Sequence, residues 1–580
     1  MIMKNYFMKS SMMLMAVSAA LASCTQEDVL QNTPAQPSDN ELKLSVSTQD
    51  FVSDAQGRAI TNNDDKRTSA FEDGDQLGLY IFSEDGEVLC DNLLYTYTDG
   101  SWSTDKTIYQ YKNAQYVAYF PYCKDLSGVA VAENNPESDT EEGAEEGSTP
   151  SITKSVTNNI TDHFTTNILK TVSQTDAETY EQADLMVATA GQVEGAKVTL
   201  KLAHQFSMIE LNIPCRKYIT QAGGFEYAAP VKMDVTINGK TDLYRVADGV
   251  YRMIVAPGTT PTIEGSVKYD ALQPIYFSSS SVTMNALAAG TFTQFNVTYD
   301  DPALKNLAKD EATGRYIRPL QPGDYYYSDG TIYPYDEDEN KANQPFKEGC
   351  IGVIFEVGTG APDTDWTHGS VLALNNAHSD WSKWGNAGGP KDGNSAGEND
   401  LYDFLSGKMD GYTLTGTFTK EVGGLDCAFR KISLFGTEDQ SLKGWVFPQY
   451  AAPVGITSGW YMPSAGQLMA VWKGLGGYTV AVDNYMNNMP DDHAKKLESV
   501  KKIQEAIEKV GGTFVSTSLS DKNKVVQRWW STTEWDDKNA WTMEWNLSET
   551  ANGSSTGFSS RNKSQNWDAA QTYARPILSF

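Results

Sequence analysis

The chain has 580 residues, which exceeds what one hydrophobic core organises, so we expect roughly three or four domains. Hydrophobic residues make up 40% of the chain and aromatic residues 11%, which predicts globular domains with substantial cores. With 75 acidic against 46 basic side chains the net charge is −29, and this charge argues against nucleic acid or an anionic lipid surface as a partner.

Residues 1–23 have the pattern of a secretory signal peptide. Lys4 and Lys9 precede an apolar run over residues 12–22, which is too short to span a membrane in the mature protein. The run ends in Leu-Ala-Ser-Cys, which resembles a bacterial lipobox, so Cys24 is predicted to carry a lipid anchor. The alternative is an ordinary signal peptide with a chance cysteine. The acidic residues after Cys24 resemble the surface-export signal of Bacteroidetes-type lipoproteins, which implies exposure at the cell outer membrane.

Residues 24–58 are predicted to form a tether followed by a strand. Residues 25–40 are polar and contain proline, as is typical of a flexible linker. Residues 41–47 alternate polar and apolar side chains, which predicts a half-buried strand. The polar stretch that follows contains Arg58 and Arg67 and is expected to be accessible to proteases.

Beyond residue 70, short apolar segments alternate with turn residues, which predicts β-sandwiches. Residues 71–80 are predicted to pass from a turn into an apolar strand, and further strands are predicted over residues 116–122, 197–202, 208–213, 231–237, 251–256 and 292–299. An acidic, low-complexity insertion over residues 133–150 interrupts them and is expected to be a solvated loop.

Four of these segments resemble elements of the fimbrillin family. Residues 71–80 are similar to its "F..GD.IGLY" element and residues 116–122 to its "Y.AYYPY" strand. Residues 184–206 resemble the "DLM.A … L.H" passage, in which His204 is expected to be structural, and residues 252–257 the late "ivP" strand. The elements follow the family's order across about residues 41–300.

The resemblance implies a mainly β chain with two transthyretin-like β-sandwich domains, over residues 59–190 and 191–301. It also implies assembly into a fimbrium by donor-strand exchange with other fimbrial subunits. In fimbrillins a trypsin-like protease cuts after an arginine that follows the first strand. The resemblance therefore implies cleavage between Arg58 and Ala59, with Arg67 as the alternative site.

The composition changes near residue 302, and most tryptophans lie beyond it. Ser464 is predicted to cap a helix, with Gln467 completing a capping box. A second helix is predicted from the capping residue Asp492 to Gly511. Its apolar stripe comprises Leu497, Val500, Ile503, Ile507 and Val510.

Three motifs of this region resemble another family. Residues 459–464, 529–534 and 573–578 are similar to the "GW.LPS … YWSST E … VRPV" sequence of extracellular domains related to the Fibrobacter paralogous family. Such domains are distantly similar to C-type-lectin-like folds. The resemblance implies an α+β recognition domain over residues 302–580, but it does not identify a ligand.

No catalytic constellation is present in the sequence, so no enzyme activity and no cofactor are predicted. The five histidines form no H-E-x-x-H motif, and no phosphate-binding G-K-[ST] loop occurs. The G-x-S-x-G at residues 393–397 lies in a polar loop, whereas a nucleophile elbow needs a strand before its serine and a helix after it.

No metal site is predicted either. The acidic run at residues 336–339 offers oxygen ligands for calcium, but its spacing is not that of an EF-hand, and a solvated loop is the simpler interpretation. The cysteines form no C-x-x-C pair, so the usual zinc and redox spacings are absent. With Cys24 set aside five remain, which leaves at least one thiol unpaired.

Trp381 and Trp384 lie beside a glycine-rich stretch and are the candidate ligand-binding residues, for a glycan or a host protein. Trp460, Trp529 and Trp530 belong to the family-like motifs and are expected to fill the core.

The leading hypothesis is an accessory or tip pilin that displays a C-terminal adhesion domain. Residues 573–580 are apolar and are predicted to be a closing strand buried in their own domain, which leaves no free donor strand. The alternative is a surface lipoprotein that binds glycan or host protein without polymerising. A surface hydrolase with β-domains as spacers is a third hypothesis, and the missing catalytic residues argue against it.

Overall fold

The computed structural model describes residues 41–580 with gaps. The gaps are residues 54–69, 112, 129–151, 190, 195, 273, 282–283, 337–343, 359, 362–363, 386–409, 422–426, 438–446, 480–484, 488–491, 515–525, 550–554 and 565–571. The described residues form two compact units and are mainly β, as predicted. The first unit comprises the described residues of 41–212, Ile237–Ile263 and Ser279–Asn296, and the second comprises those of Ile213–Thr236, Glu264–Ser278 and Val297–Phe580.

The first unit contains an eight-stranded sheet, here called sheet A. Its strands are β1 (Lys43–Thr48), β3 (Gln76–Phe82), β4 (Val88–Thr98), β5 (Ser101–Ser103), β6 (Gln115–Phe120), β7 (Met186–Ala188), β8 (Gly191–Glu194) and β9 (Lys197–His204). They are ordered β1-β9-β7-β6-β3-β4-β5, with β8 also paired to β9. Strands that precede residue 190 and strands that follow it lie in this one sheet. The limits of the two sandwich domains, residues 59–190 and 191–301, remain predictions.

The first unit also contains a five-stranded sheet, sheet B. Its strands are β2 (Val52–Ser53), β10 (Ser207–Asn212), β14 (Tyr244–Ala247), β15 (Val250–Val255) and β18 (Thr291–Asn296), in the order β14-β15-β10-β18-β2. Because side chains alternate across a strand, β3 contributes to two cores. Tyr80 and Phe82 join a core that includes Met208 and Ile254 of sheet B, whereas Leu79 and its same-face neighbours join a second core.

Two helices of the first unit were not predicted. They are α1 (Ile152–His163), which continues into a π-helical segment at Phe164–Leu169, and α2 (Ala177–Ala183). Helix α1 buries Val156 and Ile160 and partly buries Ile152, and its other side chains are polar, so the apolar stripe is only one residue wide. Asp176 caps α2 by accepting from the backbone N–H of Thr179.

The second unit begins with two small sheets. Sheet C contains β11 (Lys217–Ile219), β12 (Glu226–Ala228) and β19 (Tyr316–Ile317), in the order β12-β11-β19. Sheet D contains β13 (Lys232–Ile237), β16 (Ile263–Lys268) and β17 (Ile275–Ser278), in the order β13-β16-β17.

Two larger sheets and four helices form the C-terminal part of the second unit. Sheet E contains β20 (Tyr325–Tyr327), β21 (Ile332–Tyr333), β22 (Cys350–Val357), β23 (Gly369–Ala373) and β28 (Ile577–Ser579), in the order β21-β20-β22-β23-β28. Sheet F contains β24 (Val526–Glu534), β25 (Asn539–Asn546), β26 (Gly557–Asn562) and β27 (Thr572–Tyr573), in the order β26-β25-β24-β27. The helices are α3 (Gly411–Glu421), α4 (Ala428–Leu434), α5 (Ala465–Gly474) and α6 (His493–Lys509).

Both helices predicted in this region are present. Ser464 caps α5, and the capping box with Gln467 is complete. Asp492 precedes α6 as expected, but its side chain makes no capping hydrogen bond, so that detail of the prediction was wrong. Gly511 follows the helix with a φ of +85°, a conformation that favours glycine at a helix end. The predicted apolar stripe of α6 is buried, and all of it except Leu497 belongs to the core formed with α5 and sheets E and F. Among the described residues, no helix has both the length and the apolar character needed to cross a bilayer.

Candidate functional site

The N-terminal segment of the described chain lies at a sheet edge of the first unit. Strand β1 pairs in parallel with β9, from Lys43 opposite Lys197 to Thr48 opposite Leu202, and β9 is its one strand neighbour among the described strands. The predicted strand is therefore confirmed. Its apolar side chains Leu44 and Val46 are only partly buried against the core of sheet A.

The chain then passes from sheet A to an edge of sheet B. Phe51 is buried, and its ring stacks on His204 with the centroids 3.7 Å apart. The Nδ1 of His204 lies 2.8 Å from a carboxylate oxygen of Asp184, so the imidazole is held between a ring and an acid, which supports its predicted structural role. The Val52 N–H donates to the carbonyl of Gly290 at 2.9 Å, and β2 pairs in parallel with β18. Residues 41–53 thus occupy one edge of each sheet.

The C-terminal segment has the opposite character, because it is enclosed within the second unit. Every residue of the predicted closing strand, residues 573–580, is buried, which confirms that prediction. Strand β28 pairs with β23 on one side. On its other side Ile577 exchanges two backbone hydrogen bonds with Tyr461, at 2.8 and 3.0 Å. The Phe580 ring packs 4.8 Å from that of Tyr326.

Trp381 and Trp384 have different surroundings. Trp381 is partly exposed, and its carbonyl accepts a 2.7 Å hydrogen bond from the Nζ of Lys431, a buried side chain of α4. Trp384 is fully buried between Phe418 and Phe429, and its indole N–H donates to a backbone carbonyl at 2.7 Å. No face of Trp384 is open to a ligand, so the interpretation of Trp384 as a ligand-binding residue is corrected to a core residue. Trp529 and Trp530 are fully buried, as predicted, and Trp460 is partly buried.

Arg575, within the third family-like motif, is a buried core residue. Its guanidinium donates to Asn376 and to the carbonyls of Leu374 and Thr513, and it stacks 4.9 Å from the Trp529 ring. Burial lowers the pKa of Arg575 to about 9. The motif arginine therefore ties the segment before β28 to the core and is not presented to a ligand.

Sequence reasoning missed two charged clusters of sheet F. Lys563 forms a fully buried ion pair with Glu534 of β24, and its Nζ lies 4.6 Å from the centre of the Trp384 ring. Arg528 of β24 and Arg561 of β26 both approach one carboxylate oxygen of Glu544 on β25. Neither cluster has a sequence signal, because their members lie on different strands.

Several predicted site residues lie in parts of the chain that the structure does not describe. Cys24, Arg58, Ala59 and Arg67 lie outside the described residues, and so does the G-x-S-x-G at residues 393–397. Of the acidic run at 336–339, only Asp336 is described. Within the described ranges, no group of histidine, cysteine and carboxylate side chains is arranged to hold a metal ion. No disulfide joins Cys90, Cys123, Cys215, Cys350 and Cys427, the cysteines that the structure describes.

Residues 57–313 match the model of the Fimbrillin-like family. The match covers the strands of both sheets of the first unit from β3 onward, so this region of the chain is similar to that family.

A relative and a solved structure, both from Bacteroides ovatus, resemble the chain over nearly its whole length. It is 24% identical to the Putative fimbrium tip subunit Fim1C, and the similarity covers 96% of this chain and 97% of that protein. It also resembles the crystal structure of a fimbrial protein, with a TM-score of 0.51, 19% identity and coverage of 93% and 99% of the two chains. At 19% identity, the similarity to the crystal structure is evidence for the fold alone.

Proposed function

We propose that this chain is the tip subunit of a fimbrium, assembled by strand exchange, and that it displays a C-terminal adhesion domain. The proposal is carried by the contrast between the two ends of the chain. Within the part of the chain that the structure describes, strands β1 and β2 have one strand neighbour each, whereas β28 is bonded on both sides and buried. The match to the Fimbrillin-like family and the similarity to a protein named as a putative tip subunit support the same proposal.

In this proposal the N-terminus is processed twice. Cys24 is lipidated, which anchors the precursor at the outer membrane with its surface exposed. A protease then cuts between Arg58 and Ala59, with Arg67 as the alternative, and residues 41–53 leave with the removed segment. Their departure opens an edge of sheet A and an edge of sheet B, and open edges accept a replacement strand. A neighbouring fimbrial subunit supplies that strand.

The buried C-terminal strand lets the subunit accept a donor strand but not supply one. Ile577, Leu578 and Phe580 are buried, and releasing a buried side chain of this size costs about 1.5–3 kcal/mol. The roughly 5–9 kcal/mol for the three is comparable with the stability of a whole domain. The subunit therefore accepts a strand and donates none, which makes it the last subunit of the fibre.

The finer assignments follow from the resemblances. The fimbrillin-like region corresponds to two transthyretin-like sandwiches, and the C-terminal region to a C-type-lectin-like α+β domain that faces outward. The protein acts by binding a glycan or a host protein and not by catalysis. Of the two candidate tryptophans, Trp381 remains available for a ligand because it is partly exposed.

Immunogold labelling with antibodies to residues 302–580 tests the position in the fibre. We expect gold at the fibre ends, and gold along the whole shaft would identify a stalk subunit. Antibodies to a stalk subunit provide the control for access along the shaft. Absence of gold from fibres, with the protein on cells, would favour the non-polymerising lipoprotein.

Processing of the N-terminus is tested on cells that carry the fibres. N-terminal sequencing of fibre-associated protein should begin at Ala59, and an intact N-terminus at Cys24 would reject cleavage. A fatty-acid probe should label the wild-type precursor and miss Cys24→Ala. Equal labelling of the two would reject lipidation at this residue.

A further inference from the structure

A thiol, an imidazole and an amide are neighbours in the first unit. The Sγ of Cys123 lies 3.6 Å from Nε2 of His163, and Nδ1 of the same ring lies 3.1 Å from the side-chain nitrogen of Asn167. Helix α1 ends at His163, and Asn167 follows four residues later in the π-helical segment, so the helix brings the imidazole and the amide together. Cys123 comes from the loop after β6. The order is that of a nucleophile, a base and a group that orients the base.

Two buried side chains hold the backbone of Cys123. Its N–H donates to the hydroxyl of Tyr119 at 3.1 Å, and its carbonyl accepts from Nδ2 of Asn92 at 2.9 Å. Tyr119 and Asn92 are themselves joined, because the tyrosine hydroxyl lies 2.6 Å from Oδ1 of Asn92. The thiol is therefore presented from a fixed frame, and orienting it before a reaction costs little entropy.

The thiol of Cys123 is within reach of small molecules. Cys123 and His163 are partly exposed and Asn167 is exposed, whereas Cys350 and Cys427 are buried. Reactive cysteines need such partial access, whereas buried structural cysteines are inert. Exposure and the neighbouring imidazole thus coincide at Cys123.

The proton of the thiol decides how Cys123 reacts. Burial raises the pKa of the Cys123 thiol, and hydrogen bonds from the backbone N–H groups of Asp125 and Leu126 oppose this effect in part. The thiol is thus protonated at neutral pH, and only the thiolate is a nucleophile. Nε2 of His163 is placed to accept the proton. As the ring becomes positive, Nδ1 requires an acceptor, and rotation of the Asn167 amide presents its oxygen to that atom.

We propose that Cys123 is a modification site for a low-molecular-weight disulfide, with His163 as the base and Asn167 as the residue that positions it. Nε2 of His163 takes the thiol proton, and Sγ attacks one sulfur of the disulfide. The new S–S bond forms as that of the reagent breaks, and the leaving thiolate takes the proton from the imidazolium. Cys123 is oxidised to a mixed disulfide, and the other sulfur of the reagent is reduced to a free thiol.

A small disulfide is the reaction partner that this arrangement suits. Thiol–disulfide exchange needs a nucleophilic sulfur, a means of removing its proton and access to the attacked sulfur. Partial burial of Cys123 favours a small reagent over a disulfide carried by a folded protein. The exchange consumes one reagent per chain, so it is a modification and not a turnover. It is independent of the proposed position in the fibre, because residues 41–53 and 573–580 take no part in it.

The test uses a chain from residue 24 with Cys24→Ser and Cys215→Ser, which removes the predicted lipidation site and the other partly exposed thiol among the described cysteines. This parent is incubated with hydroxyethyl disulfide at pH 7, and peptide mass spectrometry follows the adduct at each cysteine. We expect the adduct at Cys123 before any at the buried cysteines. His163→Gln should slow its formation at least about tenfold, because the general base is lost. Asn167→Leu should slow it less.

Asn158→Leu is the matched control, because Asn158 is an exposed residue of α1, and it should leave the rate unchanged. The difference between the parent and H163Q should shrink toward about pH 10, where the thiolate forms without a base. A purely structural role of His163 would not produce that pH dependence. Melting temperatures show which variants fold, and N167L, at an exposed position, serves if H163Q does not. Equal rates at pH 7 for the parent and the folded variants, or earlier modification of the buried cysteines, would overturn the proposal.

Discussion

At the scale of single residues, the second unit contains an ion pair that water does not reach. Lys563 and Glu534 are both fully buried, and the Trp384 ring lies beside the lysine Nζ. Removing one partner leaves the other charge without compensation in a low-dielectric interior. We expect Lys563→Met to destabilise the unit by about 3–5 kcal/mol, measured as the shift of the urea unfolding midpoint.

An exposed ion pair provides the matched control, because its loss removes an ion pair without leaving a buried charge. Lys232 pairs with Glu348, whose side chain is exposed, so Lys232→Met should change stability by less than about 1 kcal/mol. The double variant K563M/E534L removes both charges and should recover most of the loss. Equal effects of K563M and K232M would contradict the buried-pair argument.

Lys496 makes the stability of the second unit depend on pH in the alkaline range. Its side chain is buried on α6, where Nζ donates to the Met486 carbonyl at 3.3 Å and lies 5.8 Å from the Trp472 ring centre. Burial lowers its pKa from 10.5 to about 8, against the opposing effect of Asp492. Between these values the unfolded chain binds more protons than the folded chain, so this residue's contribution to stability rises with pH across that interval.

The measurement compares the wild type with Lys496→Met at several pH values. We expect the stability of the wild type relative to the variant to increase between pH 8 and 10.5, by at most about 3 kcal/mol. Below pH 8 the difference should be constant. A difference that stays flat from pH 7 to 10.5 would show that the lysine is not destabilised by burial.

Trp384 shows why residue-level predictions failed. Its glycine-rich neighbourhood predicted exposure, yet its indole is buried and bonded to the carbonyl of Ser531, 147 residues away. Local sequence carries no information about such a partner. The Arg528, Glu544 and Arg561 cluster was missed for the same reason, because only strand pairing brings the three side chains together.

At the scale of elements, the edge strands make a prediction about the donor strand. A synthetic peptide of residues 41–53 should bind a chain that begins at Ala59, because it restores β1 and β2. Phe51→Ala in the peptide should weaken binding about 10-fold to 100-fold, since Phe51 is buried on His204. Fluorescence anisotropy of a labelled peptide gives both affinities.

The matched peptide carries Val52→Ala. Val52 is 58% exposed, so its truncation should change the affinity little. If the two substitutions weaken binding equally, the Phe51 site does not select the incoming strand. A donor strand from a neighbouring subunit is accordingly expected to place an apolar ring at this position.

Elements with a dense local pattern were predicted well. The alternating segments appear as β1, β6, β9, β10, β13, β15 and β18, and Ser464 caps α5. Helices α1 and α2 were missed because each fully buries only two residues and the rest of their local pattern is mostly polar. Their formation depends on the apolar surface of sheets A and B, against which those few side chains pack.

At the scale of the whole molecule, the buried C-terminus predicts that the subunit does not polymerise with itself. A purified chain that begins at Ala59 should remain monomeric by light scattering, because β28 is held by β23 and Tyr461 and is not available to another copy. Self-assembly of that chain would contradict the proposed one-sided exchange.

A designed extension gives the positive control. Residues 41–53, attached after Phe580 through a flexible linker, provide a donor strand that is not enclosed within the second unit. The extended chain should form concentration-dependent oligomers, and the same extension with Phe51→Ala should form fewer. Oligomers from a linker of equal length without the strand would show that the extension acts non-specifically.

The sequence by itself determined the mainly β character, the helix cap at Ser464 and the apolar C-terminal strand, because these depend on side chains within a few positions of one another. It also carried the fimbrillin resemblance over the region that the family match covers. Only the tertiary structure decided that Trp384 is enclosed, that residues 41–53 occupy the edges of two sheets, and that two arginines share Glu544. Burial and charge compensation depend on partners distant in sequence, and the strand pairing that selects those partners exists only in the folded chain.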